Sequence, residues 1–201
     1  MPHIQRSNIL KMIKDQAPED RKINAFPGPY KLECTPYHKL DFNKVTYRKC
    51  LEENKNTAAS WFKLCKVIII GDVSVGKTCI VNRALCYILV IVVVFDLNNM
   101  DSLSHSKTWL HEALSSSSST CPFIFLVGSK LDLLKKYAYK NMEINAMNVA
   151  KKLNAEYWAI SSKTGKNINN LFYRIAALTF DDSIKNELQL KQKVEIGTEL
   201  I

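Results

Sequence analysis

A glycine-containing segment at residues 71–78 constrains the fold of this chain more than any other feature. It reads Gly-Asp-Val-Ser-Val-Gly-Lys-Thr and follows an apolar run at residues 66–70, which predicts a buried parallel strand. Residues 78–85 behind it predict a helix. Strand, loop and helix in this order direct backbone N–H groups and a helix N-terminus at a phosphate. A chance glycine turn between a strand and a helix is the alternative, but the context that a phosphate-binding loop requires is present on both sides.

The residues of this loop have separate predicted roles. Lys77 is predicted to reach the β- and γ-phosphates, and the Thr78 hydroxyl is predicted to bind Mg²⁺. The predicted phosphate-binding residues are Gly71, Ser74, Val75, Gly76, Lys77, Thr78 and Cys79. The expected ligand is therefore a nucleotide carrying two or three phosphates, with Mg²⁺ as cofactor.

The stretch that follows the loop lacks two features that P-loop hydrolases use. The six glycines stand at positions 28, 71, 76, 128, 165 and 197, so no Asp-x-x-Gly motif exists between Lys77 and Val127. No glutamine occurs from residue 17 to residue 187, so none can orient an attacking water. The sequence thus predicts phosphate binding without an efficient apparatus for hydrolysis, and no catalytic residue is assigned.

Length and composition predict one folded domain in a reducing compartment. The chain has 201 residues, 47% of them apolar, which is enough for one ordinary core. The strongest apolar run, residues 88–95, is far shorter than a membrane span, and the charged N-terminus does not match a signal peptide. The six cysteines form no Cys-x-x-Cys pair and have no histidines at zinc spacing. We therefore expect a cytoplasmic chain with no transmembrane segment.

The net charge of +9 lies mainly in the first third of the chain. Residues 1–66 hold 13 Lys and Arg against 7 Asp and Glu, together with five prolines and no sustained hydrophobic period. Such a segment could lie on nucleic acid or an anionic membrane. Because its charges are mixed in sign and form no helical stripe, we favour a solvated, irregular and basic extension over residues 1–61, with no nucleic-acid partner.

From residue 62 the pattern changes to alternating strands and helices. Strands are predicted at residues 66–70, 88–97, 123–128 and 157–161, with a serine-rich loop at 115–120. A helix opened by Asp101 and Ser102 should bury Leu103, Leu110 and Leu114, and another is expected at about 142–153. The last helix should bury Ile168, Leu171, Phe172, Ile175 and Leu178.

This alternation predicts a doubly wound α/β sheet of parallel strands, in three layers. Such sheets bind ligands at the carboxyl ends of their strands. The segments at residues 71–78, 128–132 and 160–165 all follow strands. We therefore expect these three segments to share one pocket.

Two of these segments resemble the base-recognition motifs of the Ras superfamily of small GTPases. Residues 127–132 read Val-Gly-Ser-Lys-Leu-Asp, similar to the Asn-Lys-x-Asp box, and residues 161–163 read Ser-Ser-Lys, similar to Ser-Ala-Lys. Residues 95–97, 102–103 and 109–110 resemble the Rab family. Residues 155–159 and 176–180 are similar to its thirty-four/thirty-six branch. The resemblance covers roughly residues 62–185, which we take as the GTPase domain.

The resemblance implies guanine as the base, and GTP or GDP as the ligand. Asp132 would accept two hydrogen bonds from the guanine edge, and the Lys130 stem would pack along the ring. The loop at residues 161–163 would offer a backbone N–H to the guanine O6. The guanine-binding residues implied are Ser129, Lys130, Asp132, Ser161, Ser162 and Lys163. The family role is vesicle trafficking at the Golgi or other endomembranes, with effectors and exchange factors as partners.

The chain departs from the family pattern at three places. Ser129 stands where the box usually has Asn, which ties the base box to the phosphate loop. Switch I, the edge hairpin, Asp-x-x-Gly and the catalytic Gln are missing, which leaves about four strands in the order 1-4-5-6 of the family. No cysteine follows Cys121 in this sequence, so the tail at residues 186–201 offers no prenylation site.

Three functions stay open at this point. The first is a Rab-like GTPase with slow hydrolysis. The second is a non-switching P-loop remnant or splice product without GTPase activity, and the third is a P-loop kinase, in which the guanine box would have no purpose. Deleting the edge hairpin should leave the strand at residues 67–70 as an open edge. It should also force a left-handed crossover or a displaced loop helix.

Overall fold

A four-stranded parallel sheet organises the part of the chain that the computed structural model describes, which is residues 23, 25–53, 67–77, 90–115 and 123–198. Its strands are β1 (Val67–Gly71), β2 (Val90–Asp96), β3 (Phe123–Ser129) and β4 (Glu156–Ala159), in the spatial order β1-β2-β3-β4. Val90 of β2 lies opposite Val67 of β1 and Phe123 of β3. The predicted α/β sheet of four adjacent parallel strands is confirmed.

Helices cover both faces of this sheet. They are α1 (Lys44–Glu53), α2 (Met100–Ser104), α3 (Ser106–Ser115), α4 (Lys136–Lys152) and α5 (Ile168–Thr198), with a 3-10 turn at Leu32–Cys34. Successive residues of a strand point to opposite faces. Ile91, Val93 and Phe95 of β2 accordingly pack in the core layer of α2, α3 and α4, while Val90, Val92 and Val94 pack against α5. These six side chains are at most 1% exposed, as the three-layer prediction requires.

The helices differ from the sequence predictions at three points. Helix α4 begins at Lys136 rather than near residue 142, and Lys135 provides no side-chain cap that could have marked the start. The helix expected from Asp101 is two helices that meet at His105. The prediction that Leu114 is buried is wrong: it is 38% exposed, because Ala113 takes the core-facing position in that turn.

Helix α5 agrees with its predicted inward face and continues past it. Ile168, Leu171, Ile175 and Leu178 are buried, and Phe172 packs partly buried against the same cluster. The tail predicted from residue 186 is helical as far as Thr198. Among the described helices, α5 included, none combines the length and the apolar content needed to cross a membrane.

Residues 25–43, named here the N-terminal strap, pack against the sheet and α5. Tyr30 contacts both Tyr157 and Trp158, whose side chains point to opposite faces of β4. The strap therefore passes over the outer edge of β4, and it continues into α1, which packs on α5. The strap is thus irregular, as predicted for residues 1–61, but it is packed on the fold rather than solvated.

Buried charges hold the strap in place. The Arg174 side chain is fully buried, and its guanidinium donates to the Glu156 carboxylate and to the backbone carbonyls of Pro27, Tyr37 and Lys39, at 2.6–3.3 Å. All five of its N–H donors are thereby used. Buried Asp181 accepts from Asn43 N, Thr46 Oγ1 and Lys39 Nζ. A buried arginine and a buried aspartate are stable only with such partners, so the strap is part of the fold.

The opposite end of the sheet is formed by β1. Within the described residues β1 pairs with β2 alone, and Val67 to Ile70 are half-buried, in agreement with the predicted edge strand. The loop helix, the crossover to β2 and the domain boundary near residue 62 lie outside the described residues. The handedness of that crossover therefore stays a prediction.

Candidate functional site

The loop after β1 has a backbone shape that favours glycine. Gly71 has φ +141°, and a Cβ there would lie 2.0 Å from the carbonyl oxygen of Val94, so no other residue fits. Gly76 has φ +95° and Ser74 has φ +64°. Positive and negative φ values along a short segment turn successive N–H groups toward one point and form a concavity for anions. The loop is thus shaped to bind phosphate.

Lys77 folds across this loop. Its Nζ donates to the carbonyl oxygens of Gly71 at 2.9 Å and Asp72 at 2.5 Å. Val75, at the middle of the loop, is only 2% exposed and anchors it in the core. An ammonium held by two neutral carbonyls can exchange them for phosphate oxygens, since a bond between two ionised groups is stronger than one to a neutral acceptor. Thr78 and Cys79, the other predicted phosphate ligands, lie outside the described residues.

The hydroxyl of Ser129 ties the base box to the phosphate loop. Its Oγ lies 2.5 Å from the Val75 carbonyl oxygen and 2.9 Å from the Phe95 carbonyl oxygen, and the residue is 1% exposed. Ser129 ends β3, Phe95 belongs to β2 and Val75 belongs to the loop after β1. Serine therefore makes, with a shorter side chain, the tether that the family makes with asparagine. The predicted convergence of the two segments is present.

Lys130 follows Ser129 in the left-handed backbone region, with φ +58°. Its Nζ lies 2.7 Å from the Asp96 carboxylate at the end of β2, and its carbonyl accepts from the Asn98 side chain. Burial raises the pKa of Asp96, but hydrogen bonds from Lys130 and Asn98 outweigh it and hold that pKa below its ordinary value. Asp96 stays ionised at neutral pH and orients the lysine stem beside the base box.

The third segment meets the base box through Asp132. Ser161 Oγ donates to Asp132 Oδ1 at 2.6 Å and accepts from the Thr164 N–H, and Leu131 N donates to the Ile160 carbonyl. Asp132 remains exposed, so its carboxylate is accessible to a ligand. Ser162 Oγ is buried without a hydrogen-bond partner among the described residues, and Lys163 is exposed.

The site therefore combines a phosphate-binding concavity with an oriented, exposed carboxylate. No cluster of three or more His, Cys, Asp or Glu side chains suited to a metal occurs in the described ranges. The phosphate loop and Lys77 fit a Mg²⁺-nucleotide, in which metal ions are held mainly by phosphate oxygens and one or two protein groups. Thr78 would be the protein ligand.

The sequence did not point to a side-chain cluster beside the phosphate loop, which we name the Asp72 cluster: Asp72, His105 and Trp109. Asp72 Oδ1 accepts from Trp109 Nε1 at 2.6 Å, and Oδ2 lies 2.7 Å from His105 Nδ1. The partners are 33 and 37 residues apart in sequence from the aspartate, and no spacing rule connects them. The spacing of four between His105 and Trp109 was the available signal, since it places both on one helix face.

Comparisons with known proteins find one family model and several relatives that cover most of the chain. The sequence model of the Ras family matches residues 86–180. Ras-related protein Rab-34 of Rattus norvegicus is 33% identical over 239 residues, covering 94% of this chain and 90% of the rat protein. Rab-34 of Homo sapiens is 32% identical with the same coverage. Ras-related protein Rab-36 of Homo sapiens is 30% identical, covering 89% of this chain and 85% of its own length.

Over the aligned region this chain has fewer residues than rat Rab-34. The 239 aligned positions of rat Rab-34 exceed the 201 residues of this chain, so gap positions must stand opposite residues of the relative. The family-model match begins at residue 86, immediately after the predicted loop helix. The family-model match thus includes residues 128–132 and 161–163 but not the loop at residues 71–78.

Proposed function

The chain belongs to the Rab-type small GTPases, near Rab-34 and Rab-36, and we propose on this premise that it binds GDP and GTP in the pocket formed by residues 71–79, 129–132 and 161–163. The Ser129 bridge is the observation that carries the proposal, because it joins the phosphate half of the site to the base half. The family gives the chain a role in vesicle trafficking at endomembranes, for which we propose the Golgi as the compartment.

Each residue has a role that its chemistry explains. The N–H groups of residues 74–79 would bind the α- and β-phosphates, and Lys77 would leave its two carbonyl partners to bridge the β- and γ-phosphates. Mg²⁺, held by Thr78 and phosphate oxygens, would neutralise phosphate charge. Asp132 would accept the guanine N1–H and amino group while Ser161 holds its carboxylate in place. Asp96 would keep the Lys130 stem beside the base.

We expect the chain to prefer guanine to adenine nucleotides. The Asp132 carboxylate offers two acceptors to the guanine edge, whereas the adenine N1 lone pair would face it with like polarity. The test is isothermal titration calorimetry of the full chain with GDP and with ADP, each with Mg²⁺. The Lys77→Ala variant is the control and should weaken both nucleotides, because it removes a phosphate contact and no base contact. Equal affinities for GDP and ADP would contradict the proposal.

We further propose that the chain binds without switching efficiently. The Asp-x-x-Gly glycine and the water-orienting glutamine are absent from the sequence, so the γ-phosphate lacks the groups that hold it and direct water. Effectors and exchange factors that read the switch regions would lose their binding surface. Binding alone, as in a non-switching remnant or splice product, is therefore the second candidate. Family membership gives the kinase alternative no support.

The hydrolysis rate distinguishes these two candidates. We expect phosphate release from GTP at or below the slow intrinsic rate of small GTPases, on the order of 10⁻⁴ per second, and no stimulation by a GTPase-activating protein. The measurement is single-turnover phosphate release from GTP-loaded protein with and without the activator. Stimulated release that Lys77→Ala abolishes would show that other residues replace the missing groups.

A further inference from the structure

The side chains of the Asp72 cluster lie beside the phosphate loop, and none of them is given a role in nucleotide binding above. Asp72 is the second residue of the loop, and its own carbonyl oxygen is one of the two groups that hold Lys77 Nζ. Its carboxylate is bound at both oxygens by donors from α3 and from the junction that precedes it. His105 N bonds to the Asp101 carbonyl, and Trp109 N bonds to the His105 carbonyl, so the two donors stand one helical turn apart on a rigid segment.

The charge of Asp72 is unfavourable for the proposed ligand. The loop proposed here to bind a polyanion carries the Asp72 carboxylate at its second position. Like charges at short range repel each other in a partly desolvated site. The two donors hold this carboxylate against α3 and the junction that precedes it. A protonated His105 also cancels its charge. Asp72 is 26% exposed and His105 is 56% exposed, so water screens the pair partly.

Titration of the cluster follows from the same contacts. The Trp109 N–H and His105 hold the pKa of Asp72 below its ordinary value, with a smaller contribution from Lys77. The hydrogen bond and charge of Asp72, and then the charge of Asp101, raise the pKa of His105. Asp72, Asp101 and Lys77 are the charged groups that act on the cluster from the loop and α2. The stabilising interaction of a histidine with a raised pKa is fully present below the ordinary value of about 6.5. It is lost as pH rises through the raised pKa.

We propose that His105 and Trp109 are positioning residues of the nucleotide site, which hold the Asp72 carboxylate away from the phosphates and neutralise it, so that nucleotide affinity falls when His105 loses its proton. This inference rests on the proposed nucleotide binding and adds a pH dependence to it. Neither residue touches the nucleotide in this arrangement, because both act through Asp72.

The test is equilibrium binding of fluorescent N-methylanthraniloyl-GDP to the full chain, with Mg²⁺, between pH 5.5 and 8.5. The variants are His105→Gln, which removes the titrating group, and Trp109→Phe, which removes the indole donor and keeps an aromatic ring. His111→Gln is the matched control, since His111 is exposed on the same helix and is not among the groups that hold Asp72. Protonation of the nucleotide phosphates changes affinity in every variant and cancels in the comparison.

We expect the dissociation constant of His105→Gln, divided by that of the wild type, to be about threefold larger at pH 5.5 than at pH 8.5. An effect of this size suits a partly exposed charge pair. His111→Gln should follow the wild type across the range. Trp109→Phe should weaken binding by about tenfold at every pH, because a hydrogen bond to a charged group is lost. A thermal unfolding scan of each variant confirms that it is folded.

Two other results would have different meanings. If His105→Gln follows the wild type at every pH, the inference is overturned while the proposed function stands. If the wild-type chain binds no guanine nucleotide at any pH, the proposed function fails and the inference fails with it. In the latter case the Trp109 indole N–H resonance of the nucleotide-free chain, followed over the same pH range, shows whether the Asp72–His105 pair itself forms.

Discussion

Replacing Arg174 with methionine is expected to lower the free energy of unfolding by about 3–5 kcal/mol, the cost of breaking a buried ion pair on one side. Arg174 and Glu156 are both fully buried and lie 3.1 Å apart. Methionine fills much of the same volume, but it leaves the Glu156 charge without its cation. Three strap carbonyls also lose their donor. The measurement is urea unfolding of the full chain, followed by circular dichroism.

Two variants make this result specific. Arg48→Met, at an exposed position of α1, should change the free energy of unfolding by less than about 0.5 kcal/mol. The loss of unfolding free energy in Arg174→Lys should lie between those two values. Lysine keeps the charge, but it lacks the planar fork with which arginine reaches several acceptors. An Arg174→Met variant as stable as Arg48→Met would mean that the strap is not fixed by the guanidinium.

The second large effect concerns the base. We expect Asp132→Ala to weaken GDP binding by about a hundredfold, since two hydrogen bonds to a charged acceptor are lost at about 1.5–3 kcal/mol each, partly offset by water. Ser129→Ala should weaken GDP binding by about tenfold, because it removes a hydrogen bond from a neutral hydroxyl to the Val75 carbonyl. The measurement is calorimetric titration of both variants with GDP and ADP.

The ratio of the two nucleotides separates the roles of these residues. Asp132→Ala should reduce the preference for GDP over ADP, whereas Ser129→Ala should weaken both through the phosphate loop. Asp41→Ala, an exposed carboxylate on the strap, is the charge control and should leave both affinities unchanged. A larger loss for Ser129→Ala than for Asp132→Ala would contradict the assignment of Asp132 to the base.

The sheet and the meeting of the three predicted segments could be predicted from the sequence because their signals are local. Strands β2 and β3 are continuous apolar runs, and the Gly71 to Lys77 segment has a shape that glycine spacing specifies. The base box follows a strand end, so a parallel sheet brings it to the loop. Each signal lies within about ten residues of sequence and needs no knowledge of distant partners.

The strap and the Asp72 cluster could not be predicted for the opposite reason. Arg174 binds backbone carbonyls of the strap, and a carbonyl is the same in every residue, so the strap sequence carries no mark of the contact. Mixed charges and prolines in that stretch favoured a solvated segment. Asp72 finds His105 and Trp109 only because α3 packs beside β1. Single polar residues far apart in sequence show no pattern.

The strap also determines the order in which the chain can complete its fold. The carbonyls of Pro27, Tyr37 and Lys39 meet a guanidinium that lies 135 to 147 residues later in the chain. During synthesis these three carbonyls therefore stay without the guanidinium until α5 is made, whereas Tyr37 of the strap can bond to Ile124 of β3 earlier. Contacts of such long sequence separation slow folding, because the loop they close must lose its entropy first. The strap is accordingly fixed completely only after α5 is made, although it precedes all four strands of the sheet in the chain.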